Sequence, residues 1–196
     1  MPNEASFLYD FNSPYAYLAA MRVDDVLPVR PSWRPIAFAF VLRARRRRPW
    51  SFDDETRVPG VAECEARAER YGLPPMRWPP AWPVGSYSLL PLRAAVIAAD
   101  HGLLREFSHA AYARHFVAGA SLRELQDVLT VAEQVGLDPG IVRSQIESEE
   151  VKDRLKAATD DAIARGVQGV PTTVVGDQLF WGDDRLPDAA AALQAA

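Results

Sequence analysis

A serine followed by a proline, Ser13-Pro14, stands where an apolar run gives way to a helix-compatible segment. Ser13 can cap the helix, and Pro14 can occupy its first turn. The unpaired N–H groups and the macrodipole of a helix N-terminus favour an anion, to which a hydroxyl there can donate a hydrogen bond. Ser13 therefore has two interpretations, an ordinary N-cap or a group that stabilises a bound anion.

Two further candidate positions lie near the C-terminus. Pro171 stands among valine and threonine residues, where a sheet would normally place a residue with an N–H to donate. On this pattern alone it is a proline of an edge strand. Asp183 and Asp184 directly precede the last helical segment. The ordinary role of a carboxylate at that place is to cap the helix.

Basic side chains are concentrated in one short stretch that contains Arg43 and the run from Arg45 to Arg48. Runs of like charge usually form a solvated loop. A guanidinium group also pairs bidentately with a carboxylate, so the same stretch can bind an acidic ligand. The sequence leaves both interpretations open.

The first forty residues predict a strand, a helix and a second strand. The apolar and aromatic run Ser6–Phe11 is typical of a buried strand, and the segment from Tyr15 to Leu27 is compatible with a helix that ends before Pro28. Trp33–Phe40 is predicted as the second strand. This order opens an α/β unit.

The rest of the chain predicts a helical block and a second β unit. Apolar residues at helical spacing recur through the middle of the chain. Val170–Trp181 is typical of a β-hairpin that turns at Gly176-Asp177, and Leu186–Ala195 is predicted as a terminal helix. The predicted α/β architecture therefore has residues 1–50 and 160–196 in one domain and a helical insertion at 51–159.

Composition excludes several classes of protein. The chain has 196 residues, 48% of them hydrophobic, and a net charge of −4, which argues against bulk binding of nucleic acid or of an anionic membrane. No apolar stretch is long enough to span a membrane, and no secretory signal is evident, so we expect a cytoplasmic protein. The single cysteine, Cys64, excludes a CxxC pair and lies on an apolar stripe, as a core thiol would. Three scattered histidines predict no metal site.

Two stretches resemble a known family. The N-terminal run FLYDFNSPYAYL, from Phe7 to Leu18, and the C-terminal stretch from Gly166 to Leu186 are similar to the signatures of 2-hydroxychromene-2-carboxylate isomerases. These are relatives of kappa-class glutathione transferases. The resemblance implies a thioredoxin-like fold (βαβ…ββα) with a large all-helical insertion of the DsbA type, a homodimer, and glutathione as cofactor.

The resemblance also assigns roles to the residues singled out above. Ser13 occupies the place where redox members of the fold carry Cys-x-x-Cys, and with Pro14 it would bind glutathione and stabilise its thiolate. Because a serine forms no mixed disulfide, dithiol chemistry is not expected. The Val170–Pro171 bond should be cis, and Val170 should offer its backbone to the peptide backbone of glutathione.

Charged residues complete the site that the resemblance implies. Asp184 would bind the ammonium group of the γ-glutamyl moiety, and Asp183 would be the turn residue. Arg43 and Arg47 stand where relatives carry lysine and asparagine, and they would bind a carboxylate of glutathione or of the substrate. Arginine at both positions departs from the family pattern.

Three functions remain open at this level. The first is a glutathione-dependent cis–trans isomerase that acts on aromatic catabolites of the 2-hydroxychromene-2-carboxylate type. The second is a kappa-like glutathione transferase or peroxidase, and the third is a non-catalytic binding module of thioredoxin type. Four tryptophans are candidate walls of an aromatic pocket, although each is individually more typical of a core or an interface: Trp50, Trp78, Trp82 and Trp181.

Overall fold

Four short strands form one mixed sheet. The computed structural model describes residues 4–80, 82–84, 86 and 88–195. The strands are β1 (Ala5–Tyr9), β2 (Ser32–Pro35), β3 (Thr172–Val175) and β4 (Gln178–Trp181), in the spatial order β2-β1-β3-β4. β1 pairs in parallel with β2 and antiparallel with β3, which forms a hairpin with β4. The predicted hairpin is therefore confirmed, and it joins the N-terminal strands in one sheet.

Ten α-helices lie within the described residues. They are α1 (Pro14–Ala20), α2 (Val23–Val26), α3 (Phe38–Ala44), α4 (Asp54–Arg70), α5 (Leu89–Asp100), α6 (Leu104–Tyr112), α7 (Leu125–Gln134), α8 (Pro139–Gln145), α9 (Glu149–Ala164) and α10 (Leu186–Gln194). A π-helical turn (Ala113–Val117) extends α6, and 3₁₀ turns occupy Trp50–Phe52 and Asp183–Arg185. In the part of the chain that the structure covers, every helix is too short or too polar to cross a membrane.

The sheet and the helical block share one core. Phe7, Tyr9 and Phe11 alternate along β1 and its end, so all three rings lie on the same face, where they are fully buried. The Phe11 ring packs against Phe107 of α6 with 6.2 Å between the ring centroids. The Tyr9 hydroxyl is 2.7 Å from the Ser108 hydroxyl. The predicted boundary at residue 159 falls within α9, and the division into two domains stays a prediction.

Two predicted elements near the N-terminus are shorter than expected. The helix predicted from Tyr15 to Leu27 is divided into α1 and α2, without a glycine or proline at the break. The strand predicted over Trp33–Phe40 was wrong beyond Pro35, where its pairing with β1 ends at Tyr9. The Phe38 N–H donates instead to the carboxylate of Asp10, at 2.9 Å, and α3 begins at that residue.

Candidate active site

Ser13 and Val170 are brought together from opposite ends of the sequence. The Ser13 Oγ accepts a hydrogen bond from the Ala16 N–H at 3.2 Å, which caps α1. The same hydroxyl donates towards the Val170 carbonyl oxygen at 3.4 Å, and the Val170–Pro171 peptide bond is cis. A hydroxyl accepts and donates at the same time, so the cap leaves its proton available to another acceptor. The two interpretations of Ser13 are thus compatible.

Ser13 lies where two clefts meet. The first, called here the apolar cleft, has a volume of about 320 Å³, and Pro14 contributes to its lining. Its apolar walls are formed by Phe38, Phe40, Trp50, Phe52, Trp82 and Leu89. The second, called here the polar cleft, has a volume of about 440 Å³ and is lined in part by Val170, Pro171 and Trp181. The two clefts share Ser13, Phe38, Leu42, Pro49 and Trp50.

The polar cleft contains charges of both signs. Arg47 and Arg48 line it, as do Glu63, Arg67, Asp183 and Asp184. An ordered site of this kind can complement a ligand that itself carries both carboxylates and an ammonium group.

Asp183 is buried and hydrogen-bonded within the protein. Its side chain is 1% exposed, and its carboxylate accepts hydrogen bonds from Arg67 at 2.8 Å and from the Tyr71 hydroxyl at 3.0 Å. Burial raises the pKa of Asp183 above its ordinary value, while Arg67 and Tyr71 oppose that rise. Asp183 therefore holds the turn from within and has little capacity left for a ligand.

Asp184 is the exposed carboxylate of this turn. Its side chain is 55% exposed and lies 3.6 Å from Arg67. The prediction that one of the two aspartates caps the terminal helix was wrong, because a 3₁₀ turn intervenes and α10 begins after Arg185 without a side-chain cap. The assignment of Asp184 to an ammonium group stays a prediction.

The structure separates the two arginines that the resemblance had grouped. Arg47 lines the polar cleft, where it donates to the Gln168 carbonyl oxygen at 3.2 Å and lies over the Trp181 ring, 4.8 Å from its centroid. Arg43 lies in the exposed last turn of α3 and is absent from the described lining of both clefts. The structure thus brings Arg47, but not Arg43, together with Val170 and Pro171.

Several residues of the site carried no clear signal in the sequence. The Tyr15 hydroxyl donates to Glu63 at 2.9 Å, and Glu63 forms an i,i+4 ion pair with Arg67 at 2.6 Å. In the sequence, the apolar spacing of the α4 segment predicts a helix but does not indicate that Glu63 and Arg67 form a polar face towards Tyr15. Asp10, 2% exposed, accepts hydrogen bonds from the N–H groups of Asn12 and Phe38, both at 2.9 Å. It thereby joins the loop before α1 to the start of α3.

Two titratable side chains of the helical block, Cys64 and His115, belong to the core, as the apolar stripe predicted for Cys64. Burial raises the pKa of the Cys64 thiol to about 12, so the thiol stays protonated at neutral pH. Burial lowers the pKa of His115 to about 4, and its Nδ1 lies 3.1 Å from the Ala120 carbonyl oxygen. Neither side chain is suited to acid–base chemistry at neutral pH.

The tryptophans are divided between the two clefts. Trp50 lines both clefts, Trp82 lines the apolar cleft and Trp181 the polar cleft. Trp78 packs behind Trp82, with 4.5 Å between the ring centroids. Three of the four predicted tryptophans therefore line the clefts directly, and Trp78 supports one of them.

Comparisons with known proteins identify the family of the chain. A family model described as a DsbA-like thioredoxin domain matches residues 5–194. A 2-hydroxychromene-2-carboxylate isomerase from Sphingobium xenophagum is 29% identical over 194 residues, which cover 95% of each chain. These matches confirm the resemblance noted in the sequence and support an isomerase.

Solved structures confirm the fold. A structure of a 2-hydroxychromene-2-carboxylate isomerase superposes with a TM-score of 0.86 at 22% identity, over 97% of this chain and 94% of that one. A probable DsbA oxidoreductase from Streptomyces coelicolor gives a TM-score of 0.75 at 18% identity, over 98% and 90% of the respective chains. The thioredoxin-like fold with a DsbA-type helical insertion is therefore confirmed.

Proposed function

The chain belongs to the DsbA-like thioredoxin-domain family, and from that premise we propose that it is a glutathione-dependent cis–trans isomerase. Its substrates would be conjugated aromatic compounds of the 2-hydroxychromene-2-carboxylate type. The observation that carries this proposal is the position of Ser13 at the boundary of a polar and an apolar cleft. A ligand bound in the polar cleft and a second ligand bound in the apolar cleft would therefore contact each other next to this hydroxyl.

The residues of the polar cleft fit glutathione. Within the described part of the chain, the Val170 N–H donates to no backbone carbonyl, and its C=O accepts only the long contact from Ser13. Val170 can therefore pair with an extended peptide as an edge strand would. Arg47 and Arg48 would bind carboxylates, and Asp184 would bind the ammonium group. Asp183 would support them by holding the turn in place.

The chain's own contribution to the chemistry is electrostatic and positional. When bound, glutathione supplies a thiolate whose reversible addition to a conjugated carbon would allow the former double bond to rotate. The Ser13 hydroxyl would donate a hydrogen bond to that thiolate and lower the pKa of the thiol. The apolar cleft would hold the aromatic ring and exclude water, which strengthens the hydrogen bond from Ser13.

Calorimetric titration of reduced glutathione at pH 7 tests the proposal, with the ultraviolet band of the thiolate followed in the same samples. We expect binding accompanied by thiolate formation, followed by isomerisation of cis-arylidene pyruvates. Turnover of an aryl halide in place of the arylidene pyruvate would instead identify a kappa-like transferase. Absence of binding at millimolar glutathione would favour a binding module. Sedimentation of the same protein tests the homodimer that the resemblance implies.

Arg47 and Arg43 offer a matched pair of variants. Arg47→Ala should weaken glutathione binding about tenfold, because a charge-assisted hydrogen bond to a carboxylate is lost. Arg43→Ala removes the same charge from the exposed last turn of α3, so we expect its dissociation constant to stay within about twofold of the wild type. Calorimetry measures both constants. Equal effects of the two variants would show a diffuse electrostatic attraction and not a contact made by Arg47.

A further inference from the structure

Asn12 is placed rigidly beside Ser13, at the edge of the apolar cleft. Its N–H donates to the carboxylate of Asp10 at 2.9 Å, and its C=O accepts a hydrogen bond from the Trp82 indole at 3.3 Å. The backbone of this residue is thus held from two sides. Its side chain is left as the adjustable part of the residue.

The side-chain amide of Asn12 has unused hydrogen-bonding capacity. Its Nδ2 makes only a long contact, 3.5 Å, to the Ser86 carbonyl oxygen. Its Oδ1 is shielded from solvent and has no partner among the described residues. Exchanging the two atoms would place the amide oxygen against the Ser86 carbonyl, so the acceptor is the end that stays unpaired. A shielded acceptor without a donor is unfavourable unless a ligand or a water molecule supplies one.

Two polar neighbours of Asn12 in this cleft, Asp10 and Ser13, already have hydrogen-bond partners. Both oxygens of Asp10 accept backbone N–H groups. The Ser13 hydroxyl serves the cap of α1 and faces Val170. Most of the remaining wall is aromatic or aliphatic. The Ser86 and Ser88 hydroxyls also line this end of the cleft, but a hydroxyl can turn to suit its partner. Among the described residues of the cleft, the Asn12 amide oxygen is therefore the shielded acceptor that lacks a donor.

We propose that Asn12 determines substrate specificity by accepting a hydrogen bond from a hydroxyl group on the aromatic ring of the substrate. The inference rests on the proposed function for the substrate class. The unpaired atom is an acceptor, so the complementary ligand group is a donor, and a hydroxyl is the donor that an aromatic ring commonly carries. A site that pairs with a hydroxyl discriminates strongly against the analogue that lacks it, because its own polar group is then left unpaired.

An interior water molecule is the competing partner for this oxygen. Asn12 also borders a cavity of about 10 Å³ that is lined by Ser88 and His115. That volume is near the smallest that holds one water molecule. If a water there satisfies the Asn12 amide, the residue is purely structural, and its replacement would change stability without changing the preference between substrates.

The test uses two cis-arylidene pyruvates that differ only in a ring hydroxyl. Asn12→Leu, nearly equal in shape, should lower kcat/KM for the hydroxylated substrate at least tenfold and leave the unsubstituted one nearly unchanged. Phe40→Leu, in the wall of the same cleft, is the matched control and should lower both values alike. Retained discrimination in Asn12→Leu would overturn the proposal. If that variant does not fold, Asn12→Ser, whose shorter side chain has no amide oxygen, carries the same expectation.

Binding to the glutathione-free protein separates this inference from the proposed function. Quenching of tryptophan fluorescence, to which Trp50 and Trp82 contribute, reports the affinity of a hydroxylated aromatic ketone and of its unsubstituted analogue. We expect the wild type to prefer the hydroxylated ligand about tenfold and Asn12→Leu to lose that preference, with glutathione affinity unchanged. Equal affinities in the wild type would refute the role of Asn12 even if the enzyme isomerises. Failure of glutathione to bind would refute the proposed function and leave this preference measurable.

Discussion

Ser13→Ala should reduce turnover about a hundredfold at pH 7 while the protein remains folded. The hydroxyl is the donor that the structure places at the boundary of the two clefts, and loss of one preorganised donor typically costs about 10²–10³ in rate. The variant also loses the acceptor that caps α1 through the Ala16 N–H. That loss should lower the free energy of unfolding by about 1 kcal/mol, which a folded domain tolerates.

The pH dependence of Ser13→Ala has a definite sign. Without the hydroxyl, the thiolate loses a hydrogen bond that the neutral thiol does not need, so the pKa of the bound thiol rises. Because this pKa is higher in the variant, its turnover should fall furthest below that of the wild type near neutral pH. The difference should shrink as the pH rises through the higher pKa. The pH profile of kcat and the absorbance of the bound thiolate measure this shift.

Two other substitutions separate the cap from the donor. Ser13→Asp keeps a side-chain oxygen that can cap α1 but, once ionised, has no proton to donate, so we expect stability near the wild type with turnover no higher than that of Ser13→Ala. Ser13→Thr keeps both functions and should keep most of the activity. Unchanged thiolate absorbance in Ser13→Ala would contradict the proposed role, and Ser13 would then be an N-cap only.

Arg67→Ala should lower the free energy of unfolding by about 3 kcal/mol, the lower end of the range for breaking a buried ion pair. Arg67, 19% exposed, is the cation beside the buried carboxylate of Asp183, and its removal leaves Tyr71 as the main donor to that group. The turn that presents Asp184 would loosen as well. We therefore expect weaker glutathione binding together with the lower stability.

The effect of pH on Arg67→Ala follows from the burial of Asp183. Burial already raises the pKa of this carboxyl, and loss of the opposing cation raises it further. A carboxyl whose pKa is raised in the folded state favours folding when protonated, so the deficit should be largest at neutral pH and should shrink as the pH falls. Urea unfolding at several pH values measures this trend.

A double substitution and a surface control complete this experiment. Asp183→Asn removes the buried charge and keeps an oxygen that can accept from Tyr71, so adding it to Arg67→Ala should recover most of the lost stability. Arg154→Ala removes an exposed partner of Asp100 and should cost less than about 1 kcal/mol. Simple additivity of Arg67→Ala and Asp183→Asn would show that the two side chains do not stabilise each other.

Local patterns in the sequence were enough to predict most of the helices and strands that carry the site. Ser13 caps α1 and Pro14 is its first residue, the residues around Gly176-Asp177 form the hairpin, and the alanine-rich segment after Arg185 forms α10. These features depend on capping, on turn residues and on apolar periodicity, each of which operates within a few residues of the chain. The resemblance added the cis bond at Pro171, which the structure confirms.

Long-range contacts account for what the sequence did not reveal. α3 begins at Phe38 because the distant Asp10 accepts its N–H, a donor that no local residue satisfies. Arg67 and Asp183 meet across 116 residues of sequence. Arg43 and Arg47 are the same residue type in the same basic stretch, so the sequence does not distinguish them. In the structure α3 ends between them, and only Arg47 lines the polar cleft. Side chains from distant segments come together only when the helical block packs against the sheet. Their relative positions therefore cannot be predicted from any short segment of the sequence.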